Sequence, residues 1–81
     1  VARVLLFGPL RDLAGWRERE LETVPASVFA LRDLLAQEDA GLGEALRGRG
    51  VQIALDQVII RGDAPLHARA EVAFLPPMSG G

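Results

Sequence analysis

The sequence predicts an α+β domain in which one main helix covers one face of a mixed sheet of about five strands. Three observations predict it. Short β-branched and apolar runs occur at both ends and in the second half of the chain. A single well-formed helical period, roughly Val28 to Gln37, lies between two strand-like runs before it and three after it. The order strand, strand, long helix, strand, strand, strand places a helix across the sheet between an N-terminal hairpin and the later strands. The first and last strands are then expected side by side and parallel, joined by a right-handed crossover path.

Val1 to Phe7 is apolar with one charge and is stopped by Gly8-Pro9, which marks a central strand. Leu10, Leu13 and Ala14 follow at helical spacing, with Pro9 near the first helical position and Gly15 past the last. Gly15-Trp16 reads as a turn, and Arg19 to Val24 as a more charged strand returning along the first. Ser27 is a natural N-cap for the main helix. There Val28, Leu31, Leu34 and Leu35 share one side, and Arg32, Asp33 and Gln37 fall away from it. Phe29 lies off that stripe and is expected to shield the helix edge. Asp39 to Gly50 is a Gly-rich connection in which Leu42, Ala45 and Leu46 suggest a short further helix. Val51 to Leu55 and Val58 to Arg61 form a hairpin about Asp56-Gln57. Gly62-Asp63-Ala64-Pro65 is a turn, Leu66 packs inward, and Ala70 to Leu75 is the final strand. Residues 1–75 therefore make one domain and 76–81 an extended tail.

Strands covered on one face alternate apolar with polar residues. With Val4, Leu6, Val72 and Phe74 turned to the helix, the outward set is Arg3, Leu5 and Phe7 from the first strand. The last strand adds Glu71, Ala73 and Leu75, with Ile59 as a candidate neighbour. Leu5, Phe7, Ile59, Ala73 and Leu75 would make one apolar patch, a pattern that marks protein interfaces.

An 81-residue chain has room for one domain. At 49% hydrophobic and 25% charged residues it is ordered and globular in composition. The net charge of −2 gives no general affinity for nucleic acid. Cysteine is absent, which excludes a disulfide framework and thiol chemistry within the chain. No stretch has the length of a membrane span and the first residues carry no signal-peptide pattern, so the expected location is the cytoplasm. All nine basic residues are Arg, so no lysine here can accept an isopeptide bond. His67 is a lone histidine in a turn-like segment, so a metal site is not expected. No nucleophile–base set, phosphate loop or dinucleotide fingerprint can be assembled.

The distinctive stretch is Phe74-Leu75-Pro76-Pro77-Met78-Ser79-Gly80-Gly81. Two prolines hold the backbone extended. Residues from Met78 onward shrink stepwise, and Gly80 and Gly81 let a protein wall approach closely. Fully extended, Pro76 to Gly81 reaches roughly 20 Å. Such a probe can enter a narrow active site with the Gly81 carboxylate at its tip.

This tail, following Glu71-Val72-Ala73, resembles the C-terminal signature of the small, sulfur-carrying subunits of molybdopterin synthase. Val4-Leu5-Leu6-Phe7, Leu10-Arg11-Asp12-Leu13-Ala14-Gly15, Ser27-Val28 and Asp56-Gln57 fit the same family without large gaps. The resemblance implies a β-grasp, ubiquitin-like fold. It implies that an adenylating partner, similar to ubiquitin-activating enzymes, uses ATP to convert Gly81 to an acyl-adenylate. A sulfur donor then leaves Gly81 as a thiocarboxylate, and no cofactor is permanently bound. It implies further that the tail enters the large synthase subunit, in a heterotetramer with two large subunits. There it delivers sulfur to precursor Z (cyclic pyranopterin monophosphate) in molybdenum cofactor biosynthesis. Gly81 would carry the reacting atom, with Gly80, Ser79, Met78, Pro77 and Pro76 as the tail, and Phe7, Ile59 and Leu75 at the family's docking positions. Two departures stand out: Met78 replaces the more usual Val, and His67-Ala68-Arg69-Ala70 stands where many relatives have an Asp-Gly turn. Carriers for thiamine or a tungsten cofactor share fold and diglycine, and a ubiquitin-like modifier shares the tail.

Overall fold

In the computed structural model, residues 1–77 are described. Five strands and three helices follow in the order β1 (Ala2–Leu6), α1 (Pro9–Ala14), β2 (Glu18–Leu21), α2 (Val28–Glu38), α3 (Ala40–Leu46), β3 (Gln52–Leu55), β4 (Val58–Ile60) and β5 (Glu71–Leu75). The sheet order is β2-β1-β5-β3-β4. β1 and β5 pair in parallel at the centre, and the other pairs are antiparallel. The expected parallel contact between the first and last strands is present, and the fold is the β-grasp.

The core follows from the two periodicities. Val4 and Leu6 of β1, Val72 and Phe74 of β5 and Ile53 of β3 turn to the same side. Against them pack Val28, Leu31 and Leu35 of α2, Leu42 and Leu46 of α3, and Leu10 of α1. Phe74, with no exposed surface, is the largest of the fully buried side chains. Burying such a ring contributes about 2–3 kcal/mol.

Local chemistry fixes the helix ends. Ser27 accepts the Ala30 amide through its side chain at 3.1 Å, the expected N-cap. Asp63, from the turn before Pro65, adds a second cap by accepting the Phe29 amide at 2.8 Å. That contact is the chief reason the Asp63 carboxyl lies below its ordinary value. Asp39 closes α2 and caps α3, accepting the Leu42 amide at 3.1 Å. The two helices then meet closely at Gly43, where an added Cβ would collide with the Ala36 Cβ and Cα.

Several sequence expectations need correction. The second strand runs from Glu18 to Leu21, earlier and shorter than Arg19 to Val24. Leu13 does not join the core and is 52% exposed. α1 is only six residues long and buries the line through Leu10, with Ala14 packed beside it, which leaves Leu13 outside. Leu34 is half-buried at the margin of the α2 stripe. Phe29 shields the helix edge as expected, and the Arg32 guanidinium lies 4.2 Å above its ring.

Candidate functional site

The site is the outer face of the sheet together with the point where the chain leaves β5. Strand register places Leu5 beside Ala73, Ala73 beside Ala54, and Ala54 beside Ile59. The result is one continuous apolar row across four strands on the face away from the helices. Gln52 lies opposite Leu75 one step toward the tail. On the other side the row is bounded by charge: Arg3 pairs in register with Glu20 and Glu71, and its guanidinium reaches Glu18 at 2.9 Å and Glu71 at 3.8 Å. These pairs are solvent-exposed and contribute little to stability. They fix where the apolar surface stops.

The five predicted docking residues do not share one degree of exposure. Phe7 is 45% exposed and Ile59 46%, so these two supply the accessible bulk. Leu5 and Leu75 are half-buried. Ala73 faces outward but is only 6% exposed, because its methyl lies between Leu5 and Ala54. It is the floor of the patch and not part of its accessible surface. Ala54 belongs to the same row and was not legible in the sequence: a lone alanine in a four-residue strand carries no signal until the register is known. Beside the row, Leu5, Phe7, Arg3, Arg11 and Arg17 line a groove of about 280 Å³ between β1, β2 and α1.

The tail leaves at the same end as Phe7. Pro76 follows β5 directly and is half-buried, and Pro77 is exposed. Two glycines from distant loops flank them. Gly8, at φ +57 after β1, is so placed that an added Cβ would lie 3.1 Å from the Pro76 ring Cγ. Gly50, at φ +86 before β3, would place a Cβ 2.9 Å from the Pro77 Cβ. The root of the tail thus passes through a notch between two left-handed glycines, a conformation that L side chains rarely adopt. Neither glycine carries a motif that marks it in the sequence. Met78, Ser79, Gly80 and Gly81, predicted as the working part of the tail, lie outside the described residues.

The sequence profile of the ThiS family matches residues 4–81. The chain belongs to the ThiS family. Among its relatives in this lineage, the molybdopterin synthase sulfur carrier subunit of Escherichia coli is 34% identical over 98% of both chains. The protein of the same name from Haemophilus influenzae is 32% identical over 96% of both chains. The resemblance first carried by the tail therefore extends along the whole sequence. In three dimensions the chain superimposes on the crystal structure of SAMP1 from Haloferax volcanii with a TM-score of 0.83, over 99% of this chain and 98% of that one, at 23% identity. The fold is ubiquitin-like, and the family is one of sulfur carriers.

His67 has a definite place outside this site. Its Nδ1 accepts the Arg69 amide at 3.2 Å, and the Ala70 amide donates to the His67 carbonyl at 3.1 Å. The side chain thereby closes the turn before β5. Its Nε2, left with the proton, donates to Asp56 Oδ2 at 2.8 Å. Among the described residues, no three His, Cys, Asp or Glu side chains are gathered as metal ligands, and no helix is long and apolar enough to cross a membrane.

Proposed function

We propose that this chain is the sulfur-carrier subunit of a molybdopterin synthase, with the Gly81 carboxylate as the group that is loaded and unloaded. A carboxylate is ionised at neutral pH and resists nucleophilic attack, so it must first be activated. An adenylating partner uses ATP to make the Gly81 acyl-adenylate and releases pyrophosphate. A sulfur donor at the oxidation level of sulfide then displaces AMP and leaves the thiocarboxylate. Inside the large subunit the thiocarboxylate sulfur attacks an oxygen-bearing side-chain carbon of precursor Z, forming a C–S bond as that carbon's C–O bond breaks and its oxygen leaves with a proton. Water then cleaves the acyl–sulfur bond, which leaves sulfur on the pterin and restores the carboxylate. Two such transfers make the dithiolene. The subunit is not catalytic alone and works in a cytoplasmic heterotetramer with two large subunits.

One observation supports this reading above the others. The Pro76-Pro77 root leaves β5 at the sheet end where Phe7 and Gly8 follow β1, just beyond the outward row that crosses the sheet through Leu5, Ala73, Ala54 and Ile59. A partner that covers this row also receives the tail. An apolar row of this kind on a small domain fits a protein interface. Leu75, Ile59 and Phe7 supply its anchors.

The test uses ATP, the adenylating enzyme of the same host and a sulfide source. The expected product is a chain heavier by the exchange of one oxygen for one sulfur at Gly81, and adding the large subunit with precursor Z yields molybdopterin. Deleting Gly81 leaves a folded domain that is not charged. Charging of the shortened chain, or a covalent link to another protein in place of sulfur, contradicts the reading.

A further inference from the structure

We propose that Gly8 and Gly50 are positioning residues: together they grip the two prolines and set the line along which the tail leaves the domain. The grip stands on geometry alone; its consequence at Gly81 rests on the sulfur-carrier reading above.

Two loops far apart in sequence, β1–α1 and α3–β3, each bring a left-handed glycine against one of two consecutive prolines. A need for positive φ does not account for this closeness. Gly15 and Gly62 also have positive φ, at +84 and +113, yet a Cβ on either would meet nothing within 4 Å. At Gly8 and Gly50 the space that a side chain would fill is occupied by proline rings. Proline has no N–H to donate, so a ladder hydrogen bond from its nitrogen cannot hold the root in line. Ring packing against bare backbone does so instead.

The two contacts differ in how far they can yield. The atom nearest a Cβ on Gly8 is the Pro76 Cγ at 3.1 Å, which ring pucker can shift by a few tenths of an ångström. A Cβ on Gly50 would meet the Pro77 Cβ at 2.9 Å, with the Pro77 Cα at 3.7 Å behind it, so the chain itself must move. Two prolines in series are stiff, so a displacement at Pro77 changes the line along which the chain leaves the domain. Misplacement of a reacting atom by about 1 Å lowers a rate by about 100-fold. A Cβ at position 50 therefore acts first on Pro77, its three nearest atoms all belonging to that residue, and through the exit line of the tail on Gly81.

The experiment compares full-length wild type with Gly50→Ala, Gly8→Ala and Gly15→Ala. Gly15→Ala is the control, because it carries nearly the same φ as Gly50 with no neighbour to displace. Thermal unfolding, affinity for the large subunit and the single-turnover rate of sulfur transfer to precursor Z are measured on each. Gly50→Ala and Gly15→Ala are expected to lose similar stability and to bind within about threefold of wild type. Gly50→Ala slows transfer by about tenfold or more and Gly8→Ala by about two- to threefold, while Gly15→Ala transfers at the wild-type rate. Transfer by Gly50→Ala as fast as by Gly15→Ala overturns the proposal. A nuclear Overhauser contact between Gly50 and Pro77 protons in the wild type reads the grip without any chemistry, and its absence also overturns the proposal. A wild-type chain that shows this contact but cannot be charged with sulfur refutes the carrier reading and leaves the grip in place.

Discussion

Asp56 shows how much one side chain settles. It holds the turn between β3 and β4 at φ +49, with Gln57 at φ +69, the left-handed pair of a tight hairpin. Its own amide donates to the Glu71 carbonyl at 2.8 Å, its Oδ1 accepts the Glu71 amide at 3.0 Å, and its Oδ2 accepts from His67. One residue thus fastens the β3–β4 turn to the start of β5 and to the turn before it. The Glu71 amide above all, then His67, lowers the Asp56 carboxyl below its ordinary value. The folded value lies below the unfolded one, so the unfolded chain binds more protons in the interval between them. The stabilisation is complete above the unfolded value and is lost as pH falls through the folded one. Glu38, held down chiefly by its hydrogen bond from Arg19, and Asp63, held down chiefly by the Phe29 amide, act in the same direction. Asp56→Asn keeps an acceptor oxygen and tolerates positive φ but does not titrate. Its urea midpoint should fall less steeply than that of wild type as pH drops from about 5 to about 3. Equal slopes would remove Asp56 from the acid response.

At the scale of elements, the pair α2 and α3 is decided by one missing side chain. The helices approach where Gly43 faces Ala36, and a Cβ on Gly43 would lie 2.6 Å from the Ala36 Cα. That neighbour is backbone within a helix and cannot turn away. Gly43→Ala improves helix propensity by about 1 kcal/mol and yet should destabilise the domain by about 1–3 kcal/mol, because the helices must separate over Leu35, Leu42 and Leu46. Chemical denaturation measures it, and a stabilised variant would show that the helices part freely. The existence of both helices was legible: Ser27 announced the start of α2, and Leu42, Ala45 and Leu46 the turns of α3. Their mutual contact was not, since Gly43 looks like any glycine in a Gly-rich connection. Leu13 failed for a related reason. Spacing places it with Leu10 and Ala14, but six residues bury a stripe too narrow for all three.

For the whole molecule, the helices cover one face of the sheet and leave the other uncovered. Arg3, Glu18, Glu20 and Glu71 keep one part of that face in water. The row from Leu5 to Ile59 and the exposed Phe7 ring give the rest its apolar character. Ile59→Arg and Phe7→Ala remove exposed apolar surface, by charge and by truncation, without opening the core. Both should leave the unfolding midpoint within about 4 °C, since surface changes of this kind stay within about 0.5 kcal/mol. Affinity for the large subunit should fall by about tenfold or more for each, as expected where an anchor is lost. Isothermal titration with the large subunit checks this, and unchanged affinity in both variants would move the docking surface elsewhere.

By itself the sequence determined whatever depends on neighbours along the chain: the alternation that turns Val4, Leu6, Val72 and Phe74 inward, the Ser27 cap and the α2 stripe, the Asp56-Gln57 turn and the stiff diproline root. These follow from bond geometry and from spacings of two and 3.6 residues, which are properties of short segments. The tertiary structure alone decided that Ala54 completes the row, that Ala73 is its floor, and that Gly8 and Gly50 close on Pro76 and Pro77. Those facts depend on which strands pair and in what register, and on loops that meet only after the core has assembled.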